Sequence, residues 1–529
     1  MTKKLLALLL SVVLCVGVLA ACGPNKEDPT KPSTPVKYNG DTPDFEGATI
    51  TMYMPNNSDI DPDKTWLNKE VDKHLNLNTV IIEGADISGM LANKQAPELQ
   101  WTNSYSSLGM QQNGRQDGIY VNIYDYLDYM PNLKKVLEDP ANAAYVEKYS
   151  LAKGEMYNVP VIKVDGDAAK WTFLYRKDIF DKHNIAFPTN QTEFVATLEK
   201  LKELYPDSMP FAMRNMTGSM QGAQAFGHLW GGVHMLRGEY STVFTLGADG
   251  KYYLGTTSQA YKEMAMFMKD LTDRKLMHTS SLTLDTAKWQ AAFSGDISFI
   301  TYDKVDRLPA LNNAGKAINA EFLMVAGAPF NFGTYATTAT TVSTSFVGTG
   351  PQYSFCIGNT DNVLYVCAYV DWLFSEEGQI MTNWGIKGVS YEEVNGVKTF
   401  KQEFLQEQGT LVASGLYAPS MSGVLDFNAY LAACDEDMIA SMNLAAQYEG
   451  RTSAQVALVF SEVDNLQWGT YAKAFETYTR AELTKFISGQ RDFSEWDNVV
   501  QELKANYKYD WLMDLHVNGL ADRKQQGLA

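Results

Sequence analysis

The folded part of the chain opens with two different hydrophobic periods. Residues 48–54 (ATITMYM) and 79–82 (TVII) are rich in β-branched and apolar side chains, which is typical of strands. Between them, Leu67, Val71 and Leu75 recur every four residues, which is the spacing of one buried face of an α-helix. A strand, a helix and a strand in this order predict a βαβ unit, so we expect an α/β fold with a mainly parallel sheet.

The loop after the first of these strands carries candidate binding residues. In α/β sheets, ligands bind in the crevice at the carboxyl ends of the strands. Asn56 and Asn57 come directly after the first strand, and their side-chain amides both donate and accept hydrogen bonds. They are therefore candidate polar contacts for a ligand.

The N-terminus has another pattern, which ends at Cys22. Two lysines precede an uncharged, apolar stretch over residues 5–21, and the small residues before Cys22 resemble the lipobox of bacterial lipoproteins. In that family of signals, a peptidase cuts before the cysteine after a lipid has been joined to its sulfur. The resemblance implies a signal peptide over residues 1–21 and a mature chain anchored by acyl chains on Cys22. An uncleaved transmembrane helix is the alternative, because a membrane span requires about 20 apolar residues.

Residues 22–47 have the composition of a flexible linker. They are polar and contain many prolines, so they favour an extended chain without a core of its own. These prolines are Pro24, Pro29, Pro32, Pro35 and Pro43. We expect this linker to hold the folded part away from the membrane.

Charge and size narrow the class of protein. The formal net charge of the 529 residues is -18, and it becomes about -20 once the two lysines of residues 1–21 are removed. Such a surface repels nucleic acid, so no nucleic-acid partner is expected. Roughly 500 residues exceed what one hydrophobic core usually serves, which predicts two or more lobes.

Cysteines and histidines give little sign of crosslinks or metal sites. Besides the cysteine in the signal peptide and Cys22, only Cys356, Cys367 and Cys434 are present, and an odd number without close spacing argues against a disulfide framework. His228 and His234 are six residues apart, which does not place them on one face of a helix. We therefore expect neither a metal nor a cofactor.

Five short motifs follow one another along the chain: residues 154–160 (GEMYNVP), 175–178 (YRKD), 188–194 (PTNQTEF), 371–378 (DWLFSEEG) and 384–389 (WGIKGV). In this order they resemble motifs of the substrate-binding lipoproteins of bacterial sugar ABC importers, in particular the large ones of Gram-positive bacteria. Asn190 and Glu193 are also spaced as a helix capping box. The chain departs from the family at residues 92–99 (ANKQAPEL), which puts the usual ligand contact there in doubt.

The resemblance implies a periplasmic-binding-protein-like fold of two α/β lobes with the ligand in the cleft between them. Strands at residues 170–175 and 322–325 would then cross between the lobes. Lobe one would comprise residues 48–170 plus 330–395, and lobe two would comprise residues 171–329 plus 396–529. The residue pattern alone predicts only an α/β chain with at least two cores.

A sugar site needs aromatic rings for the apolar faces of the sugar and polar groups for its hydroxyls. Three tryptophans are candidate rings. Trp101 is flanked by polar residues, Trp171 begins the suspected crossing strand, and Trp230 is followed by glycines that permit a close approach. Residues 295–303 resemble a family strand whose end contacts the ligand, which implies roles for Tyr302 and Asp303. Arg176 could bind hydroxyls or a carboxylate through its planar fork. For each of these residues, packing or a structural ion pair is the alternative.

The resemblance implies a function as well. The protein is expected to be a lipid-anchored binding protein at the outer face of the cell membrane, which captures an oligosaccharide and delivers it to the membrane subunits of an ABC importer. It is expected to act as a monomer and not as an enzyme. The alternatives are a polysaccharide-degrading glycoside hydrolase and an adhesive surface lipoprotein. No Gly-x-Ser-x-Gly or His-Glu-x-x-His motif supports a hydrolase, and no repeats support an adhesin.

Overall fold

The computed structural model describes most of the chain from residue 36 onward. The described ranges are 36–54, 64–83, 87–102, 107–166, 170–214, 221–231, 244–246, 251–335, 341–343, 353–450, 458, 460–525 and 528. The predictions for the signal peptide, Cys22, Asn56 and Asn57 lie outside these ranges. Within them, no helix combines the length and the apolar character that crossing a membrane requires.

Strands occur in the described chain as far as residue 450 and form sheets of two to five strands. The strands are β1 (Lys37–Asn39), β2 (Thr42–Asp44), β3 (Thr49–Met54), β4 (Asn78–Glu83), β5 (Leu99–Thr102), β6 (Ser150–Ala152), β7 (Glu155–Met156), β8 (Val159–Pro160), β9 (Ile162–Val164), β10 (Lys170–Arg176), β11 (Phe244–Leu246), β12 (Tyr252–Leu254), β13 (Ile300–Lys304), β14 (Met324–Gly327), β15 (Thr341–Ser343), β16 (Ser354–Ile357), β17 (Tyr391–Val394), β18 (Val397–Phe400), β19 (Val424–Asp426) and β20 (Glu449–Gly450).

Helices separate most of these strands. The α-helices are α1 (Trp66–Leu75), α2 (Ile87–Ala92), α3 (Ser107–Met110), α4 (Pro131–Glu138), α5 (Ala143–Tyr149), α6 (Lys177–Lys182), α7 (Gln191–Leu204), α8 (Gln221–Phe226), α9 (Gln259–Asp273), α10 (Thr286–Ser294), α11 (Leu308–Lys316), α12 (Val363–Phe374), α13 (Glu376–Asn383), α14 (Gln402–Gln408), α15 (Phe427–Ala432), α16 (Glu436–Gln447), α17 (Glu462–Ile487), α18 (Asn498–Asn506) and α19 (Tyr509–Gln525). A π-helix covers Gln111–Gln116.

The first large sheet has the strand order β4-β3-β5-β16-β8. β3 pairs in parallel with β4 and β5, whereas β16 is antiparallel to β5 and β8. Helix α1 begins after Thr65, whose hydroxyl accepts a hydrogen bond from the backbone N–H of Asn68, and it buries Leu67, Val71 and Leu75. The predicted βαβ unit and the α/β class are therefore confirmed.

The second large sheet is built around β10. Strand β13 lies on one side of β10, and β14 and β15 lie on the other, all antiparallel to it. Successive side chains of a strand point to opposite faces of the sheet. Phe173 of β10 accordingly packs in a core of mainly aromatic residues, and Leu174 packs in a separate core on the other face. Helices cover both faces of this sheet.

The cores define two lobes. The core of the first lobe surrounds the first large sheet and contains residues from Phe45 to Ile162 and from Phe355 to Ala429. In the second lobe, the aromatic core includes residues of α7, α9 and α17. The core on the opposite face of the second sheet includes residues of α10, α11 and α16. The prediction of more than one core is thus confirmed.

The boundary between the lobes differs from the predicted one after residue 320. The segment expected to cross between lobes at 322–325 instead leads into β14, which pairs with β10 within the second sheet. Phe330 and Phe332 then pack in the aromatic core of the second lobe. The chain joins the first sheet only at β16, so the first lobe does not begin again at residue 330.

The segment after residue 395 also differs from its predicted place. Phe400, Phe404, Leu416 and Val424 are buried in the core of the first lobe. Strand β19 pairs in parallel with β9, which belongs to that lobe. Hydrophobic burial therefore assigns the chain as far as Leu425 to the first lobe and not to the second.

The predicted linker ends earlier than residue 47. Strands β1 and β2 form an antiparallel hairpin, and the ring of Phe45 is buried 5.9 Å from the ring of Tyr365. The backbone N–H of Phe45 also donates to the carbonyl of Leu75 at the end of α1 (3.0 Å). Residues 36–47 therefore belong to the first lobe, because the apolar Phe45 side chain docks into its core.

Candidate functional site

The chain passes between the lobes at several places. Strand β9 of the first lobe is followed by β10 of the second, and β15 of the second lobe is followed by β16 of the first. Helix α15 contacts both lobes, because Phe427 packs in a core of the second lobe and Ala429 in the core of the first. We call the region where these connections meet the junction.

Gly166 permits a close approach at the first connection. Its φ of 141° lies in the region that favours glycine, and a Cβ there would lie 2.5 Å from Cδ1 of Phe427. The backbone of the first connection thus passes directly over the ring of Phe427. This contact ties the connection to α15.

The strand ends of the first sheet lie at the edge nearest the junction. Thr102, at the carboxyl end of β5, pairs with Ser354, where the chain arrives from the second lobe. The parallel strands β3 and β4 end at Met54 and Glu83 on the same side of the sheet. The predicted crevice at the carboxyl ends of these strands would therefore open toward the junction.

Trp101 lies at this edge and is buried. Its indole Nε1 donates to the backbone carbonyl of Pro419 (3.0 Å), and its ring stacks on Tyr353 at 5.7 Å between centroids and 13° between planes. Tyr353 stands between the second connection and β16 and was not among the predicted residues. The two rings form an aromatic stack beside the junction, so the role of Trp101 in binding stays a prediction.

Trp171 is the second residue of β10 and lies beside the first connection. Its ring stacks with that of Tyr302 at 6.3 Å and 24°. Its indole Nε1 is buried and has no hydrogen-bond partner in the described part of the chain. Since a buried donor without an acceptor costs free energy, this N–H is a group that an added acceptor would stabilise.

Trp230 and Tyr302 belong to the aromatic core, which corrects their predicted place in the cleft. The Trp230 ring stacks on Phe332 at 4.4 Å and contacts Phe226 edge to face at 4.7 Å. Tyr302 lies 5.3 Å from Phe173, and its hydroxyl donates to the carbonyl of Trp171 (3.4 Å). Burial raises the pKa of the Tyr302 hydroxyl. Their ring faces are therefore occupied by other rings of the protein.

Arg176 is buried and forms ion pairs within the protein, which is the structural alternative to its predicted binding role. Its guanidinium donates two hydrogen bonds to the carboxylate of Asp178 (2.8 and 2.7 Å) and one to Asp296 (2.7 Å). It donates another to the carbonyl of Phe293 (2.7 Å) and lies 4.0 Å from the ring centre of Phe322. The guanidinium that was expected to bind a sugar therefore connects the end of β10 to Phe293 and Asp296.

Asp303 is likewise engaged within the protein. Its carboxylate accepts two hydrogen bonds from Arg214, at 2.6 Å from Nε and 2.9 Å from Nη2. Arg214 is held in turn by Thr286 Oγ1 (3.0 Å) and by the ring of Trp289, 5.0 Å below its guanidinium. Both members of this pair are buried, so Asp303 serves the core beneath the sheet and does not face a ligand.

Lys304 is the residue at this strand end that the sequence did not single out. It pairs in register with Trp171, so the two side chains share one face of the sheet at the junction. Burial lowers the pKa of its amine. The negative charges of Asp306 and Asp303 raise this pKa, whereas the positive charges of Arg307 and Arg214 lower it. Period-two alternation from Tyr302 would have placed Lys304 on this face, but nothing in the sequence shows which residues surround it.

Two tyrosines lie near the end of β13, one of them on α15. Tyr417 and Tyr430 lie 5.2 Å apart, and the Tyr430 ring is parallel to that of Phe427 within 11°. Burial raises the pKa of Tyr430, and the negative charge of Asp306 raises the pKa of both Tyr430 and Lys304. The end of β13 therefore lies close to α15, which concentrates aromatic and charged groups at the junction.

A cavity of 1730 Å³ lies elsewhere, within the first lobe. Its lining carries acids and bases of α1, α4, α12 and α13, among them His74, Asp371 and Glu377. The faces of its tryptophan, Trp384, are covered, because Phe400 stacks on the ring at 5.1 Å and the amine of Lys398 lies over it. This cavity thus lacks the open tryptophan face that sugar binding favours.

Comparisons with known proteins identify the fold. No protein-family model matches the sequence, and no curated protein matches it significantly. The solved structure of the alginate-binding protein AlgQ2 superposes with a TM-score of 0.69 over 89% of this chain and 98% of that chain, at 17% identity. The S. pneumoniae ABC-transporter substrate-binding protein FusA, in complex with kestose, gives a TM-score of 0.68 at 16% identity, over 89% of this chain and 98% of that chain.

A third similar structure is an HMO-binding, ABC-transporter-associated solute-binding protein from Bifidobacterium longum infantis. It superposes with a TM-score of 0.66 over 91% of this chain and 99% of that chain, at 12% identity. At such identities the likeness concerns the fold. The chain has the two-lobed α/β fold of the solute-binding proteins of ABC transporters, which confirms the predicted fold class.

Proposed function

We propose that this protein captures an oligosaccharide outside the cell and delivers it to the membrane subunits of an ABC importer. The observation that carries the proposal is the likeness of nearly the whole chain to solved solute-binding proteins, two of which are described as binding alginate and kestose. Since one fold can serve many functions, the junction must also offer suitable chemistry.

The chemistry of the junction supports a sugar ligand. Trp101 and Tyr353 form a stack at the edge of the first sheet, and Trp171 lies at the start of the second. Aromatic rings bind the apolar faces of sugars, and burying about 100 Å² of such surface contributes roughly 2 to 3 kcal/mol. We assign the ring contacts to these residues and polar contacts to Asn56 and Asn57, and no longer assign ring contacts to Trp230 or Tyr302.

The charges near the junction favour a binding protein over a glycoside hydrolase. A hydrolase of the usual kind needs two carboxyl groups about 5 to 9 Å apart, one of which must give up a proton to the sugar. Asp303 is bound by Arg214, and Asp306 lies 3.0 Å from the Nε of Arg307. Both carboxylates at this strand end are therefore engaged by arginines of the protein itself.

A thermal-shift screen of the full-length protein against plant, bacterial and host oligosaccharides tests the proposed function. A ligand that binds only the folded state raises the free energy of unfolding by about 2.7 kcal/mol at a concentration 100 times its Kd. We expect at least one oligosaccharide to raise the melting temperature, whereas amino acids and short peptides should not. A response to peptides alone would contradict the sugar class while leaving the fold unaffected.

We further propose that Cys22 is lipidated and that the protein is anchored as a monomer at the outer face of a cell membrane. Fractionation in a Gram-positive host tests this proposal. Small residues precede Cys22, and the apolar stretch before it has the pattern of a signal peptide. Replacing Cys22 with alanine should move the protein from the membrane to the medium or leave an uncleaved precursor. Unchanged fractionation and mature mass would rule the anchor out.

A further inference from the structure

Lys304 is a largely buried lysine whose amine has no partner among the residues that the structure describes. Only 7% of the residue is exposed. Its backbone N–H donates to Asp303 Oδ1 (2.7 Å), but its Nζ forms no hydrogen bond or ion pair with any residue that the structure describes. Buried charges in proteins are usually paired, because removing an unpaired charge from water is unfavourable.

The acids near Lys304 already have other partners. Asp303 is bound through both oxygens by Arg214, and Asp306 is paired with Arg307. Within the described residues, these two acid–base pairs cancel, and the positive charge of Lys304 is left over. The surroundings of Lys304 thus call for one added negative charge.

A second donor without an acceptor lies beside Lys304. Trp171 is its register partner across β10 and β13, so both side chains stand on the same face of the sheet. The indole Nε1 of Trp171 is buried and has no hydrogen-bond partner among the described residues. A cation and an N–H donor therefore lie side by side at the junction, and both lack an acceptor.

We propose that the junction binds an acidic oligosaccharide and that Lys304 and the indole N–H of Trp171 hold a carboxylate of one of its uronic acid residues. This inference rests on the proposed function. A carboxylate offers two acceptor oxygens and one negative charge, which matches these two donors. A neutral hydroxyl would satisfy a donor and leave the charge of Lys304 uncompensated. Because Lys304 lies where the lobes meet, rotation of the lobes about their connections would expose it to a ligand.

Matched pairs of oligosaccharides test this inference in the full-length protein. Each uronate-containing tetra- to hexasaccharide is titrated beside its methyl ester, which has the same skeleton without the charge, and sulfated and neutral sugars form separate arms. We expect at least one uronate to bind about tenfold or more tightly than its ester. Lys304→Met should abolish that preference, Lys304→Arg should retain part of it, and Lys288→Met, at an exposed lysine of the same lobe, should leave it unchanged.

The outcomes separate this inference from the proposed function. If only neutral sugars or sulfated sugars bind, or if esters and acids bind equally, the carboxylate site is overturned while the binding function stands. If no sugar of any class binds the wild-type protein, the proposed function falls and the inference falls with it. The comparison of acid with ester in the wild type needs no variant, so it decides the matter even if Lys304→Met fails to fold.

Discussion

Arg523 on the last helix donates a hydrogen bond to the backbone carbonyl of Ser150, which follows helix α5 of the first lobe (3.3 Å). Its Nη2 also donates to the carbonyl of Glu147, and the guanidinium lies 3.6 Å from the Glu147 carboxylate. The last carbonyls of a helix lack partners within the helix, so a buried cation stabilises them. The C-terminal helices, whose apolar side chains belong to the second lobe, are thereby fixed to the first lobe as well.

Replacing Arg523 with alanine should destabilise the protein strongly. The change leaves the two carbonyls without their donor and the Glu147 carboxylate without its ion-pair partner, which should lower the free energy of unfolding by about 2 to 4 kcal/mol in urea denaturation. Arg274→Ala is the control, because Arg274 forms only exposed ion pairs with Asp270 and Glu199 and should cost less than about 1 kcal/mol. Equal effects of the two changes would contradict the assigned role of Arg523.

The stability of the protein should depend on pH through His516. The imidazole is enclosed by the rings of Phe244, Tyr252 and Trp468 at 5.0 to 5.2 Å, and burial lowers its pKa to about 4. In the unfolded chain the pKa is about 6.5, so only the unfolded state takes up a proton between these values. The contribution is complete above pH 6.5 and is lost as the pH falls toward 4, by about 2 to 3 kcal/mol at pH 4.5.

Urea denaturation at pH 7.5 and at pH 4.5 measures this effect. The wild type should lose more stability between the two pH values than His516→Phe, whose ring fills similar space and does not titrate. Measurement of the variant at pH 7.5 gives the cost of the change in packing by itself. Parallel losses in the two proteins would show that His516 is not the group responsible.

Trp230→Ala should act on folding and not primarily on binding. The ring is enclosed by Phe226, Phe267 and Phe332, so its removal should leave a cavity that costs about 3 to 5 kcal/mol and lowers the melting temperature. Leu466→Ala is the control, because 72% of Leu466 is exposed. A variant with an unchanged melting temperature and weakened sugar binding would instead place Trp230 in the cleft.

Local pattern was sufficient to predict several elements of the fold. The four-residue spacing of Leu67, Val71 and Leu75 predicted α1, since burial of one helical face depends on neighbours in sequence. Asn190 caps α7 as expected, accepting a hydrogen bond from the backbone N–H of Glu193 (2.9 Å). These features are decided within a few residues of chain, so the sequence contains all the information that they require.

The candidate site was harder to predict, because contacts distant in sequence decide burial. Trp230 is enclosed by Phe332, and Arg176 is paired with Asp296, each more than 100 residues away. An aromatic or charged residue at a strand end has the same local pattern whether it faces a ligand or a core. Lys304 was missed for the same reason. Its amine has no partner among the described residues because Asp303, its neighbour in sequence, is paired with Arg214, and the sequence does not show that pair.

Isothermal titration of the full-length protein with the oligosaccharide that gives the largest thermal shift, followed by chromatography of the recovered sugar, tests the central claim most directly. A protein that captures a sugar for import should bind it at a ratio of about one to one and return it unchanged. Trp171→Phe should weaken the binding, because it removes the indole N–H at the junction while keeping an aromatic ring there. Shorter products in the recovered sugar, or the absence of measurable heat with every sugar that shifts the melting temperature, would contradict the account.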